Sequence, residues 1–322
     1  MFTRIYARWL SGLPGAGFFI FGFCLNAAPV FAVDQVERVD FELYGGYRVD
    51  KLDWNIASDL SGSATPNILS ELVWEDLEIY QLGLKSDWRI SNRRVPFLGL
   101  ITGAINYGSI FAGTNHDTDY AGDNRTLLFS RSDNAGDDGE VWDLTVAAGP
   151  EFLFYGGRIG LSPLLGYSYH EQNLTIKEGF QTFPPLGSFS GLDTSYDAVW
   201  KGGWLGINLR LAPTGSLALF GRFEWHEAEY LAEANWNLRD DLQHPVSFEH
   251  SAEAAEAMVI RGGGELAVSR QVRLGVEVVY QDWQAEDGVD EVYLADGSIN
   301  RVRLNEVNWE SLGVILGLKV VY

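Results

Sequence analysis

The last segment of the chain alternates apolar side chains with small or mixed ones up to its final residue. One face carries Val314, Leu316, Leu318, Val320 and Tyr322, and the other carries Gly313, Ile315, Gly317, Lys319 and Val321. Because successive side chains of a strand point to opposite faces, this segment has one apolar wall and one mixed wall. Segments of the same kind recur from about residue 39 onward. The pattern therefore predicts an all-β protein built of amphipathic strands.

The connections between these segments predict how the strands are joined. The strands fall at about 39–54, 68–90, 96–108, 140–155, 158–176, 195–211, 216–236, 255–268, 271–284 and 305–322. Short turns at 91–95, 156–157, 212–215 and 269–270 alternate with long loops at about 55–67, 109–139, 177–194, 237–254 and 285–304. Outer-membrane barrels have short periplasmic turns and long outer loops. We therefore expect a transmembrane antiparallel up-and-down β-barrel of about ten strands, with both termini inside.

The first 32 residues have the features of a secretion signal. Arg4 and Arg8 form a charged start, Gly15 to Leu25 is apolar, and Val30-Phe31-Ala32 is a small-residue cleavage site. We expect residues 1–32 to be a signal peptide and residues 33–322 to form a single barrel domain. The lone Cys24 lies in the signal, so the mature chain has neither a disulfide nor a thiol nucleophile. Export and barrel together predict the outer membrane of a Gram-negative bacterium, with the loops facing outside.

The net charge indicates which ligands the chain can bind, and the aromatic and inward-facing residues indicate how the barrel meets the membrane and how its lumen is filled. The formal net charge of −21 disfavours nucleic acid and favours cationic ligands. The 11 Trp residues are typical of the aromatic girdles where a barrel wall meets the membrane interface. The inward faces predict a lumen closed by an ion network rather than a wide channel. Its expected members are Asp40, Glu42, Arg48, Glu78, Asp143, His170, Arg222, Glu224, Arg261, Glu265, Arg273 and Glu277.

Two of the outer loops carry residues suited to hydrolysis. The second loop contains the pair Asp117 and Asp119, and the fourth contains Asp241 and His244. Neighbouring carboxylates raise one another's pKa, and a histidine beside a carboxylate can deprotonate a water. An Asp pair facing an Asp/His pair across a cleft could therefore hold and activate a water without a covalent nucleophile.

On these residues the chain resembles the omptins, outer-membrane proteases of Gram-negative bacteria. The resemblance covers the ten-strand topology, Leu52-Asp53-Trp54, the Trp74-Glu75-Asp76-Leu77 segment and the Asp-x-Asp of the second loop. It implies an endopeptidase that cuts beside basic residues, with lipopolysaccharide as a possible activator. It places the catalytic Asp pair on Asp117 and Asp119. The omptin Asp-x-His dyad has no match in spacing here, because two residues separate Asp241 from His244.

Other interpretations of the same chain remain open. The barrel could be a non-catalytic adhesin, a structural protein or a ligand-binding protein, or less readily a small pore. The acidic segment from Asp133 to Glu140 concentrates oxygen ligands of the kind that calcium prefers, although it lacks the EF-hand spacing. We predict no cofactor and no dedicated metal site. The expected partners are outer-membrane lipid, lipopolysaccharide and a cationic peptide or protein.

Overall fold

The computed structural model describes residues 35–91 and 97–322, so the predicted signal peptide (1–32) lies outside the described residues. The described residues contain no helix that is long and apolar enough to cross a membrane. Their strands are β1 (Gln35–Ile56), β2 (Ser70–Ser91), β3 (Leu98–Gly122), β4 (Thr126–Ala135), β5 (Gly139–Phe154), β6 (Ile159–Phe183), β7 (Gly187–Ser188), β8 (Asp193–Leu211), β9 (Leu217–Asn235), β10 (Phe248–Ala267), β11 (Val272–Tyr293) and β12 (Ile299–Val321).

Ten of these strands close into an antiparallel ring. The order around the ring is β1, β2, β3, β5, β6, β8, β9, β10, β11 and β12, which pairs again with β1. Strand β4 lies between the outer parts of β3 and β6, and the short β7 pairs with β6. Closure gives the backbone groups of the wall partners within the sheet, as a lipid environment requires. The predicted all-β, ten-stranded barrel is confirmed.

The strands are longer than the sequence pattern predicted. Strands β3 and β6 each have 25 residues, and β1 has 22. At about 3.3 Å per residue, a strand of that length runs roughly 70 Å, whereas the apolar band of an outer-membrane barrel is about 25 Å tall. Much of the wall therefore stands beyond the lipid. The predicted loops at 109–139 and 285–304 are wrong in extent, because polar strands continue there and pair with their neighbours.

The outward face divides into an apolar zone and an acidic zone. Near the short turns it exposes large apolar side chains such as Leu165, Leu205 and Leu316. Two aromatic clusters lie at different levels along the barrel axis on this face. One contains Phe41, Trp88 and Tyr322, and the other contains Tyr47, Tyr80 and Phe111. Closer to the long loops, the same face carries Asp53, Glu75, Glu140, Glu171, Asp197, Glu229, Glu256, Asp282 and Glu310. We call this acidic zone the projecting wall.

Tryptophans fill the middle of the barrel. Trp283 stacks on Trp309 with ring centroids 5.4 Å apart, and Trp200 lies 5.8 Å from Trp283. His170 and His226 each lie 4.8 Å from the Trp283 ring. The prediction of interface girdles is wrong for the tryptophans that are buried inside, because the inward face of a narrow barrel must also be filled. These are Trp54, Trp74, Trp200, Trp204, Trp283 and Trp309.

Below this aromatic plug, the lumen holds the predicted ion network. Arg48 forms ion pairs with Asp50 at 2.9 Å and with Asp143 at 2.7 Å. The other predicted members face inward, with one exception. Glu78 faces outward and bonds to Tyr47, because a bulge in β2 turns Leu77 and its alternating neighbours toward the core. The inference of a filled lumen holds for the described residues, with aromatic rings added to the charges.

An acidic cleft at the outer end of the barrel

Strand β3 positions the predicted Asp pair. Asp117 and Asp119 lie on the part of β3 that the sequence assigned to a loop, and each is flanked by β2 and β4. Asp117 is opposite Leu72 on one side and Ser132 on the other. Residues two apart on a strand share a face, so both carboxyl groups point into the barrel together with buried Leu72. The sheet therefore fixes the separation and the direction of the pair.

The Asp pair lines a cleft at the end of the barrel with the long loops. The cleft has a volume of about 320 Å³. Its walls contain three carboxyl groups, from Asp117, Asp119 and Asp290, and one cation, Arg239. The other lining residues are Trp54, Ile56, Leu69, Ser70, Leu72, Tyr120, Phe129, Trp236, Leu242, Phe248 and Val292. The cleft thus combines an acidic surface with aromatic and aliphatic walls.

The carboxyl groups of the pair hold their protons more tightly than ordinary aspartates. Burial, with the nearby Asp119 carboxylate, raises the pKa of Asp117 to about 7. Burial also raises the pKa of Asp119, against a hydrogen bond from Ser70 and the charge of Arg239. Near neutral pH the Asp117 carboxyl therefore occurs in both its protonated and its ionised form.

A buried Tyr–His–Asp arrangement lies beside the cleft. The Tyr196 hydroxyl is 2.5 Å from that of Tyr230 and 2.8 Å from His250 Nδ1. His250 Nε2 lies 3.6 Å from Asp290 Oδ1, and neither atom has a hydrogen-bond partner among the described residues. Burial lowers the pKa of His250 to about 3, and burial with the charge of Glu291 raises that of Asp290 to about 7. At neutral pH the imidazole is therefore uncharged.

The other two predicted catalytic residues lie outside the set that lines the cleft. Asp241 forms a two-bond ion pair with Arg239, at 2.8 and 2.7 Å. His244 is exposed, with Nδ1 2.8 Å from Asn235 Oδ1 and Nε2 3.3 Å from the Arg239 carbonyl oxygen. The structure thus brings together Asp117 and Asp119 and leaves Asp241 and His244 on the outer surface of the fourth loop. Their catalytic role stays a prediction.

The acidic segment considered for calcium is engaged in ion pairs. Asp133 contacts His116 Nδ1 at 2.7 Å and Arg131 at 3.2 Å, and Asp138 contacts Lys177 at 2.5 Å. In the part of the chain that the structure describes, no group of three or more His, Cys, Asp or Glu residues is arranged to hold a metal ion.

Comparisons with known proteins assign the family. The family model described as Pom, Protochlamydia outer membrane protein, matches residues 42–322. The chain belongs to this family. This Pom family member is accordingly a β-barrel of the Gram-negative outer membrane, as the sequence predicted. No curated protein sequence matches the chain.

Solved structures place the Pom family member among the omptin-like barrels. The outer membrane protease OmpT from Escherichia coli superposes with a TM-score of 0.70 and 14% identity, over 89% of this chain and 97% of OmpT. The translocator domain of the autotransporter NalP from Neisseria meningitidis gives a TM-score of 0.33 and 10% identity, over 94% of each chain. The likeness to OmpT confirms the predicted omptin-like fold, and at this identity it concerns the fold alone.

Sequence reasoning placed Arg239, His250 and Asp290 in the outer loops of the Pom barrel but did not identify Arg239 and Asp290 as cleft residues, or His250 as the partner of Asp290 beside the cleft. Asp290 lies on β11 beyond the predicted end of its strand, and Arg239 stood in a loop with no pattern. For His250 a signal was present, because Phe248, His250 and Ala252 alternate with polar residues at the period of a strand. Weighing that alternation would have placed His250 on the inward face.

Removing Arg239 should strengthen the attraction of the cleft for cations. With Arg239→Gln, the pKa of Asp117 should rise further, because the guanidinium lowers it in the native protein. At pH 8.5, where Asp117 is ionised in both proteins, an arginine-containing peptide should bind about fivefold more tightly, which corresponds to roughly 1 kcal/mol. Fluorescence anisotropy of a labelled peptide measures this. Arg125→Gln is the matched control, because Arg125 pairs with Glu71 away from the cleft wall.

Proposed function

We propose that this barrel is a surface receptor whose outer cleft binds the basic side chain of an extracellular peptide or protein. The observation that supports the proposal is the charge of the cleft, where three carboxyl groups face a single arginine. A lysine or arginine side chain would find both charge-assisted hydrogen bonds and desolvated carboxylates there. Trp54 and Trp236 add aromatic faces, which attract cations as well.

Arg239 supports the proposal by occupying the same space. Its guanidinium lies close enough to Asp117 and Asp119 to lower the pKa of both, while Asp241 holds it from outside. The protein thus places one of its own guanidinium groups where we propose that a ligand cation binds. A ligand that displaces Arg239 would leave it paired with Asp241, so the displaced guanidinium would still have an ion-pair partner.

The unpaired atoms beside the cleft also suit a nitrogen-bearing ligand. Asp290 Oδ1 is buried without a hydrogen-bond partner among the described residues, and His250 Nε2 faces it at 3.6 Å. A buried acceptor without a partner costs about 1–3 kcal/mol. A donor from the ligand would remove that cost, so the Asp290 side chain adds a third contact for a guanidinium or ammonium group.

An endopeptidase activity is the second candidate. It is favoured by the Asp117 carboxyl, whose pKa of about 7 suits exchange of a proton with a water at neutral pH. In the endopeptidase mechanism, Asp117 and Asp119 hold the water, and His244 with Asp241 activates it after the fourth loop has moved. Lipopolysaccharide is the activator that the omptin resemblance implies. Cleavage would then occur beside the captured basic residue.

Replacing Asp117 with asparagine should weaken both ligand binding and its pH dependence. In the native barrel a peptide with one arginine should bind more tightly as the pH rises from 6 to 8, because Asp117 and Asp290 both ionise near pH 7. Asp117→Asn should bind about tenfold more weakly at pH 8 and should show a smaller step near pH 7, since Asp290 still ionises there. The measurement is fluorescence anisotropy with a peptide built of D-residues, which resists cleavage. Asp137→Asn is the control, since Asp137 is exposed in the same hairpin and does not line the cleft.

Peptides of L-residues separate binding from cleavage. The barrel, folded in lipid with lipopolysaccharide, would be incubated with fluorogenic peptides rich in Arg and Lys, beside the Asp117→Ala and His244→Ala variants. Binding without cleavage supports the receptor, and cleavage lost in both variants supports the endopeptidase. If the native barrel and Asp117→Asn bind the D-peptide equally well at pH 8, the cleft does not recognise cations and the proposal fails.

A further inference from the structure

The arginines without an ion pair are gathered at the periplasmic end of the barrel. Among the described residues, every arginine except Arg158, Arg210 and Arg270 pairs with a carboxylate. Arg158 and Arg270 lie in or beside short turns, and Arg210 lies one residue before the end of β8. The chain has 44 acidic and 23 basic side chains, so unpaired arginines are unexpected in it.

Two of these arginines share a groove. Arg158, Arg210 and Arg273 line a groove of about 320 Å³, between the turn that joins β5 to β6 and the turn that joins β8 to β9. None of the described residues that line it is acidic, and the Glu265 carboxylate lies 3.7 Å from the Arg273 guanidinium. The remaining lining residues are Gly156, Gly157, Ala212, Thr214, Gly215 and Leu217. The groove is thus a cationic site whose other walls are mostly small residues.

The groove belongs to the mouth of the lumen rather than to the lipid-facing wall. Leu209 and Leu211 are exposed on the outward face of β8, so Arg210 between them points inward. Arg210 also lines the cavity just inside the mouth, which holds cations such as Arg38 and Lys319 and the carboxylates of Asp40, Asp87 and Glu265. A ligand in the groove would therefore arrive from the periplasm.

We propose that this groove binds a multivalent oxyanion from the periplasm, one that carries carboxylate or phosphate groups. A guanidinium presents a planar fork of donors that matches either group with two hydrogen bonds. Among the described residues, Arg158 and Arg210 have no ion-pair partner for these forks, and Arg273 adds a third charge across the groove. The site lies at the opposite end from the acidic cleft, so the proposal is independent of the function proposed for that cleft.

Binding of pyrophosphate to the purified barrel in a non-ionic detergent tests the proposal. Isothermal titration calorimetry should show one site that weakens as salt is added, and the double variant Arg158→Gln/Arg210→Gln should bind at least about tenfold more weakly. Arg270→Gln is the matched control, because it removes an unpaired arginine from the same end without touching the groove. It should change the affinity by less than about twofold. Folding of each variant is checked by its mobility on unheated gels.

Two binding results would overturn the proposal. Equal binding by the native barrel and the double variant would exclude the groove as the binding site, and an equal loss of affinity in Arg270→Gln would show a general charge effect. Competition experiments identify the source of the oxyanion. Competition by soluble cell-wall fragments with free carboxylates would support a periplasmic source of the oxyanion. Competition only by vesicles that contain phosphatidylglycerol would assign the arginines to lipid headgroups instead.

Discussion

Replacing Arg48 with methionine is expected to lower the free energy of unfolding by about 3–5 kcal/mol. The Arg48 guanidinium pairs with Asp50 and Asp143, and its side chain is only 3% exposed. Methionine is of similar length but leaves both carboxylates without their cation inside the barrel. Asp50 keeps the Trp309 indole, and Asp143 keeps Asn106 and His170 Nδ1, but none of these replaces the guanidinium that both carboxylates share.

Equilibrium unfolding in urea, from lipid vesicles, measures this loss. Lys51→Met on the same strand is the control, because Lys51 pairs with Asp53 at 3.6 Å on the outward face and its side chain is 44% exposed. Such an exposed pair should contribute less than about 1 kcal/mol. Adding Asp143→Asn to Arg48→Met should recover part of the loss. Similar losses of unfolding free energy for Arg48→Met and Lys51→Met would mean that charges in the lumen are as well hydrated as charges on the surface.

Trp283→Ala is expected to cost about 3–5 kcal/mol of unfolding free energy. Trp283 is fully buried and contacts the rings of Trp200, Trp309, His170 and His226. Alanine would leave a cavity in the aromatic plug, since the closed sheet around it cannot collapse. The same urea experiment measures the effect, and Trp283→Phe, which keeps a ring in the stack, should lose about half as much.

The same plug predicts that the unaltered barrel does not conduct ions. In a planar bilayer it should show no conductance steps, because stacked indole rings and paired charges occupy the middle of the lumen. Stable steps from the unaltered protein would contradict the plug and would restore the small-pore interpretation. Trp225→Ala should be equally silent, since Trp225 faces outward and its removal leaves the lumen unchanged.

The transmembrane part of the fold follows from local chemistry. On β12, Leu312, Val314, Leu316 and Leu318 face lipid while the residues between them face a crowded lumen, so period-2 alternation is strong. Beyond the lipid, the outward face of each strand contacts water and the inward face contacts the polar groups of the cleft, so the alternation is weak. A polar strand there has the composition of a loop, and the sequence pattern therefore assigns β3 beyond Gly108 to a loop. Pairing with β2 and β4 is what makes it a strand.

The fourth loop shows why half of the predicted site could not be located from sequence. A bridge between Leu242 and Leu294 anchors the loop to the fifth one, and the Gln243 amide donates to the Tyr293 carbonyl. These contacts join residues about fifty positions apart, so no local pattern encodes them. They turn Asp241 toward Arg239 and leave His244 at the surface. The Asp pair could be predicted because a strand places alternate residues on one face.

The projecting wall has a consequence for how these molecules share a membrane. Besides Asp53 and Glu229, which pair with Lys51 and Lys201, it carries carboxylates on strands around the ring, including Glu140, Asp197, Glu256, Asp282 and Glu310. Two barrels that approach side by side would bring like charges within the Debye length of about 8 Å at physiological salt. Repulsion then acts before the apolar bands touch. The wall therefore works as a lateral spacer, which keeps neighbouring barrels apart and leaves the mouth of each open to large extracellular molecules.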